Sequence, residues 1–150
     1  MLFRSVTTYR RLAEEALARL TPHLGRPVGP PWTATAPLPG GALPGADFAG
    51  FLGDVQRRYP AFEPLHLRRL ARRHGTLIAD VLGDAKTPAD MGKPLGFGLF
   101  AREVAYMKAS EWAVAPDDIL WRRTKLGLHA LAARDPTTGA VMTEAVASVL

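Results

Sequence analysis

The chain has 150 residues, enough for one domain with a substantial core. Its hydrophobic share of 47% and charged share of 22% are those of a soluble globular protein, and the lack of cysteine excludes disulfides and thiolate metal sites and suits a cytosolic setting. A net charge of +5, carried largely by arginine, points to an anionic partner such as nucleic acid, an acidic protein surface or a phosphorylated ligand.

The first element is read from Thr7 to Leu20, "TTYRRLAEEALARL". Thr7 or Thr8 can accept the first free amides of a helix. Leu12, Ala16 and Leu20 continue a helical period, and Pro22 with Gly25 ends it. The opening "MLFRSVTTYRR" lacks the small-residue cleavage site of a secretory signal. No apolar run reaches the roughly 18 residues of a membrane-spanning helix.

From Pro22 to Gly45 the chain holds seven of its 13 prolines and five of its 14 glycines, which disfavours regular structure. Trp32, Leu38 and Leu43 lie in the same stretch, so we expect an ordered loop anchored by Trp32 rather than a flexible linker. Asp47 is the expected cap of a second helix, with Phe48, Phe51, Leu52, Val55 and Tyr59 on one face and Pro60 as its stop. Gly50 and Gly53 weaken that helix.

"EPLHLRRLARRH" puts Leu67, Leu70, Ala71 and His74 on an inner face and Arg68, Arg69, Arg72 and Arg73 on the opposite one, with Gly75 as terminator. "TLIADVLG" reads as a short helix capped by Thr76, and "TPADMG" as one turn capped by Thr87 with Pro88 at its first position. Leu99 to Glu111 reads as a helix with Phe100, Val104 and Met107 inward. Pro116 opens the next, where Asp117 and Asp118 favour the positive end of the dipole and Asp118 pairs with Arg122. Asp135 and Pro136 start a last helix through Val141, Met142, Ala145 and Val149. With no strand-like alternation of useful length, the expected fold is all-α: a compact domain of about six short helices with a long Pro/Gly-rich ordered loop.

Few motifs carry chemistry. The histidines His23, His66, His74 and His129 include no pair at the i, i+4 spacing of a helical metal site. The glycines around "GFG" and "LPGG" follow no predicted strand, and no serine has a nucleophile-elbow context. Arg68, Arg69, Arg72 and Arg73 form the strongest charge feature, a candidate interaction face. Aromatic residues do not interleave with them, so a solvated or protein-facing surface is favoured over a nucleic-acid grip, the alternative class.

The stretch "EWAVAPDDILWRRTKLGL" resembles the signature near the carboxyl end of bacterial aerobic glycerol-3-phosphate dehydrogenases, FAD-dependent enzymes of the D-amino-acid-oxidase-like group. "TTYRRLAEEAL", "PWTATAPLPGG", "RRYP", "RRLARRHG" and "VLGDA" extend the likeness in the same order across most of the chain. The resemblance implies a linking helix over residues 1–20, a loop over 21–45 and a helical carboxyl-terminal domain over 46–150. It makes Trp32, Asp117, Asp118, Trp121, Arg122, Arg123 and Thr124 signature residues of structural importance, and it implies no catalytic or metal-binding residue here.

In the family pattern, Gly-Gly-Lys and an apolar residue precede "TTYR"; here Phe3, Arg4, Ser5 and Val6 stand there. Glycine is thus replaced where the backbone approaches the flavin. Val6, Thr7 and Thr8 are the positions left to inherit flavin contacts, and only if a flavin domain is present. The resemblance further implies FAD in the parent enzyme and none for this chain alone, with the parent's flavin domain as partner. A homo-oligomer is compatible with it, no nucleic acid is expected, and any membrane contact belongs to the parent's other part. The expected location is cytoplasmic, or peripheral to the inner membrane face in the parent.

Overall fold

A computed structural model describes residues 3–132 and 136–150. They fall into two units, one up to Leu38 and one from Pro39 to Leu150. In the first, helix α1 spans Phe3–Leu20. It begins before the predicted start, so Thr7 and Thr8 lie inside the helix rather than at its cap. A 3-10 turn over Thr21–His23 and the positive φ of Gly25 end it as expected.

The Pro/Gly-rich stretch that follows is tied to α1 by a polar triangle. The Thr33 hydroxyl donates to the Glu14 carboxylate, while Arg10 reaches Thr33 Oγ1 at 3.2 Å and Glu14 at 3.3 Å. Trp32, the expected anchor, is instead 69% exposed, and its neighbour Thr33 makes the attachment.

Among the described residues, the regular structure of the second unit is helical apart from one hairpin. Helix α2 spans Phe48–Arg58, and the Asp47 side chain caps it by accepting the Gly50 amide at 2.9 Å. Gly50 has a local reason to be glycine, because a Cβ there would run into that same carboxylate. Helix α3, Pro64–His74, buries Leu67, Leu70, Ala71 and His74 at the predicted helical spacing. A 3-10 turn over Gly75–Leu77 and helix α4, Ile78–Leu82, continue the chain; Thr76 supplies no cap. The Pro88–Met91 turn is fixed by the Asp90 carboxylate, which accepts the Thr87 amide at 2.8 Å and the Lys86 amide at 2.9 Å.

The sequence pattern ran the next helix from Leu99, but Leu99–Phe100 forms strand β2, paired antiparallel with β1, Pro94–Gly96. Phe97 (φ 48°) and Gly98 (φ 73°) are the two turn residues, both in the left-handed region that a tight two-residue hairpin loop requires. The "GFG" glycines therefore make a hairpin and not a phosphate loop. Strands this short show no alternation, which explains why the pattern missed them.

Helix α5 follows over Ala101–Ser110, then a π-helical turn over Asp118–Arg123, helix α6 over Leu126–Ala132 and helix α7 over Pro136–Ala147. Asp135, the expected start of the last helix, lies outside the described residues. Within α7, Met142 and Val146 are buried and Val141 is exposed.

Two apolar clusters make the core of this unit. One gathers Val55, Tyr59, Leu67, Leu70, Val81 and Leu82 from α2, α3 and α4. The other gathers Leu99, Val104, Met107, Ile119, Leu126 and Val146 from β2 through α7. Tyr106 of α5 packs against both, so α5 is the wall they share.

The end of α3 meets the loop near Gly40 backbone to backbone. Thr76 donates to the Gly40 carbonyl at 3.0 Å, and Gly75 has φ 57°. A Cβ on Gly75 would collide with that carbonyl. Gly75→Ala should therefore lower the unfolding free energy in urea by about 3 kcal/mol, from left-handed strain plus the clash. Gly53→Ala, whose Cβ would meet only the Arg57 side chain at 3.6 Å, should raise it by about 0.5–1 kcal/mol.

Candidate functional site

The polar heart of the second unit is Glu103 on α5, which is 0% exposed. Its Oε1 accepts from Arg73 and, at 2.8 Å, from His74 Nε2, so both partners come from the last turn of α3. Its Oε2 is buried with no hydrogen-bond partner in the described structure. Burial pushes the carboxyl upward, but the His74 hydrogen bond and the Arg73 charge outweigh it and hold Glu103 below its ordinary range. His74 is also gripped from the side by Tyr106, ring edge to face at 5.6 Å.

Glu103 was not singled out from the sequence. Its signal was available: Glu103 lies three residues after Phe100 and four before Met107, so the helical period puts it on the inner face, where a carboxylate needs a partner, and the inner-face His74 had an arginine beside it. Arg73 accordingly departs from the outward face expected for it. Arg68, Arg69 and Arg72 are exposed, while Arg73 turns to the buried carboxylate.

The network continues into the signature stretch. His74 Nδ1 lies 3.7 Å from a Glu111 carboxylate oxygen, and Arg123 donates to the Glu111 backbone carbonyl. Asp118 accepts the Val114 and Ala115 amides at 3.0 Å each and pairs with Arg122 at 2.8 Å. Those amide hydrogen bonds, ahead of the Arg122 contact, hold its carboxyl below the usual range. Asp117 stands at the start of the π-helical turn without making a side-chain cap.

The rest of the signature builds a corner. The Thr124 amide and hydroxyl both donate to the Ile119 carbonyl, at 2.9 and 2.7 Å, the i→i+5 closure of a π-helical turn. Lys125 then takes φ 60° and returns its ammonium to the Trp121 carbonyl at 2.7 Å. The Trp121 ring lies against Gly127, where a Cβ would come within 2.6 Å of the indole. The expected regular helix is thus interrupted, because "WRRTKLG" supplies a hydroxyl, a left-handed residue and a bare backbone in the order the corner needs.

Beside this corner, Arg69, Arg72, Arg73, Phe97, Arg123 and His129 contribute to the lining of a cleft of 290 Å³. Val6, Thr7 and Thr8 lie in the first turns of α1, and Trp32 in the loop after it, all in the other unit. Among the described residues, no group of three His, Asp or Glu is placed to hold a metal, and no helix is long and apolar enough to cross a membrane.

Comparison with known proteins gives this architecture its relatives. Residues 32–149 match the family model described as the C-terminal domain of alpha-glycerophosphate oxidase. Glycerol-3-phosphate dehydrogenase of Pseudomonas aeruginosa is 46% identical over 123 residues, covering 82% of this chain and 24% of that protein. Aerobic glycerol-3-phosphate dehydrogenase of Escherichia coli is 42% identical over the same shares. D-erythritol 1-phosphate dehydrogenase of Brucella abortus is 37% identical, covering 83% of this chain and 24% of that protein. The chain spans about a quarter of the length of these relatives. It belongs to the family of C-terminal domains of alpha-glycerophosphate oxidase.

The buried network sets the acid stability. A folded pKa below the unfolded value means that Glu103 contributes fully above its ordinary value of 4.5 and loses that contribution as pH falls through the folded pKa. Glu103→Gln should lower the melting temperature at neutral pH, because Arg73 loses its buried counter-charge. It should also melt with a shallower decline between pH 5 and pH 3 than the parent chain. Thermal melts followed by circular dichroism across that range check both.

Proposed function

We propose that these residues form the helical accessory domain of an FAD-dependent sn-glycerol-3-phosphate dehydrogenase, packing on a flavin domain and performing no chemistry by themselves. The observation that carries this reading is the family match over residues 32–149, combined with relatives of which it occupies only 24%. Two of those relatives are named for glycerol 3-phosphate and one for erythritol 1-phosphate, which supports a phosphorylated polyol as the substrate class of the whole enzyme.

In that enzyme the reaction would be oxidation of sn-glycerol 3-phosphate to dihydroxyacetone phosphate. FAD would supply the hydride acceptor, and a membrane quinone would take the electrons. The residues present here do not fit FAD on their own. A flavin diphosphate is held by a glycine-rich turn opening a helix after a strand, whereas the turn at Phe97 and Gly98 closes a hairpin between strands of three and two residues. Val6, Thr7 and Thr8 would approach a flavin only when the partner domain presents one.

Docking rather than catalysis is also consistent with the polar groups found. Glu103, Arg73, His74 and Glu111 are tied to one another, and Asp118, Arg122, Arg123 and Thr124 to the corner. We assign the parent enzyme to the cytoplasm, either free or peripheral to the inner membrane face.

The chain incubated with FAD and freed of unbound ligand should retain no flavin absorbance. It should co-elute on gel filtration with a separately produced flavin domain of the same enzyme. Retained flavin that bleaches on addition of glycerol 3-phosphate, or no association at high micromolar concentrations, would contradict the accessory role.

A further inference from the structure

We propose that the cleft between the end of α3 and the corner leading into α6 is a binding site for a small dianion of the phosphate class. Its 290 Å³ lie near the lower end of small-molecule sites. Three segments distant in sequence converge on it: Arg69, Arg72 and Arg73 from α3, Arg123 from the π-helical turn, and His129 from α6. Phe97 of the hairpin turn adds an apolar edge, with its ring 6.4 Å from that of His129.

The charges of this cleft do not cancel. Arg73 is committed to Glu103, and Arg123 lies between the Glu111 carboxylate at 4.0 Å and Asp118 at 3.9 Å. Asp118 is held more closely by Arg122, at 2.8 Å. No carboxylate among the described residues reaches ion-pair distance of Arg69 or Arg72. The Arg72 guanidinium carbon lies 5.9 Å from the Phe48 ring centroid, a contact that leaves its charge uncompensated. Four arginines thus contribute to the lining of the cleft, and the engaged carboxylates leave about two positive charges over.

A tetrahedral dianion fits that surplus in both charge and shape. It presents acceptor oxygens in several directions at once, which suits guanidinium forks arriving from different elements. Arg73 is held by Glu103 beneath it and Arg123 by the Glu111 carbonyl, so little side-chain entropy remains to be lost on binding. An extended polyanion is a poorer match, because Arg69 and Arg72 meet in this concavity while Arg68 lines a neighbouring depression, which Arg72 also borders.

The test is a calorimetric titration of inorganic phosphate, and separately methyl phosphate, into the 150-residue chain in low salt, above the second ionisation of phosphate. Sodium chloride at matched ionic strength serves as the blank. Saturable binding of either dianion is expected, and tighter binding of methyl phosphate would identify a phosphomonoester as the natural class. Arg69→Gln and Arg72→Gln should each weaken it about tenfold. Arg68→Gln removes the same charge from the same helix outside the cleft and should change it less than about twofold. Circular dichroism confirms that each variant keeps its helices. Absence of saturation, or an equal loss in Arg68→Gln, would overturn the site. The readout needs neither flavin nor a second domain, so its failure leaves the accessory-domain reading standing, and the failure of that reading leaves the site standing.

Discussion

A carboxylate with no exposed surface must find its partners inside the protein, and Glu103 finds a counter-charge on Arg73 and a hydrogen bond on the next residue, His74. Leaving such a group alone would cost several kcal/mol, so the approach of α3 to α5 is fixed in rotation as well as in distance. Arg73 and His74 can both reach Oε1 only if the last turn of α3 lies against the first turns of α5. Because α5 is the wall between the two apolar clusters, fixing it fixes the frame on which each cluster packs. The same seam runs on through His74 and Glu111 to Arg123, so the corner before α6 is referenced to the same buried charge.

That arrangement shows what periodicity alone can and cannot reveal. The inner faces of α2 and α3 were legible because leucine, valine and alanine at helical spacing have one plausible destination, and the cap at Asp47 was legible because its chemistry is local. The hairpin was not legible, since strands of three and two residues are too short to alternate. Arg73 was misplaced for a different reason. A helical wheel assigns it outward, and only the presence of Glu103 on another element, 30 residues away, turns it in. The buried side of α7 was not legible either, because that helix carries apolar residues around much of its circumference and contact alone selects Met142 and Val146.

The signature residues illustrate how a family pattern and a physical account can meet without either replacing the other. Asp118 satisfies two free amides, Thr124 closes a wide turn with both its amide and its hydroxyl, and Gly127 leaves room for an indole. Each of those demands is geometric, so a strict pattern in this segment needs no chemistry to explain it. Arg69 and Arg72 stand apart from this logic: no carboxylate among the described residues reaches ion-pair distance of either, and both contribute to the lining of one concavity.

The indole of Trp121, pressed against Gly127, has one more consequence. Of the three tryptophans, Trp32 and Trp112 are 69% and 86% exposed, while Trp121 is 39% exposed with its ring stacked on helix α6. Two of the three chromophores are therefore already in water before unfolding begins. The change in intrinsic emission on denaturation will come mainly from the third, so the fluorescence of this protein is in effect a local gauge of whether the corner is closed.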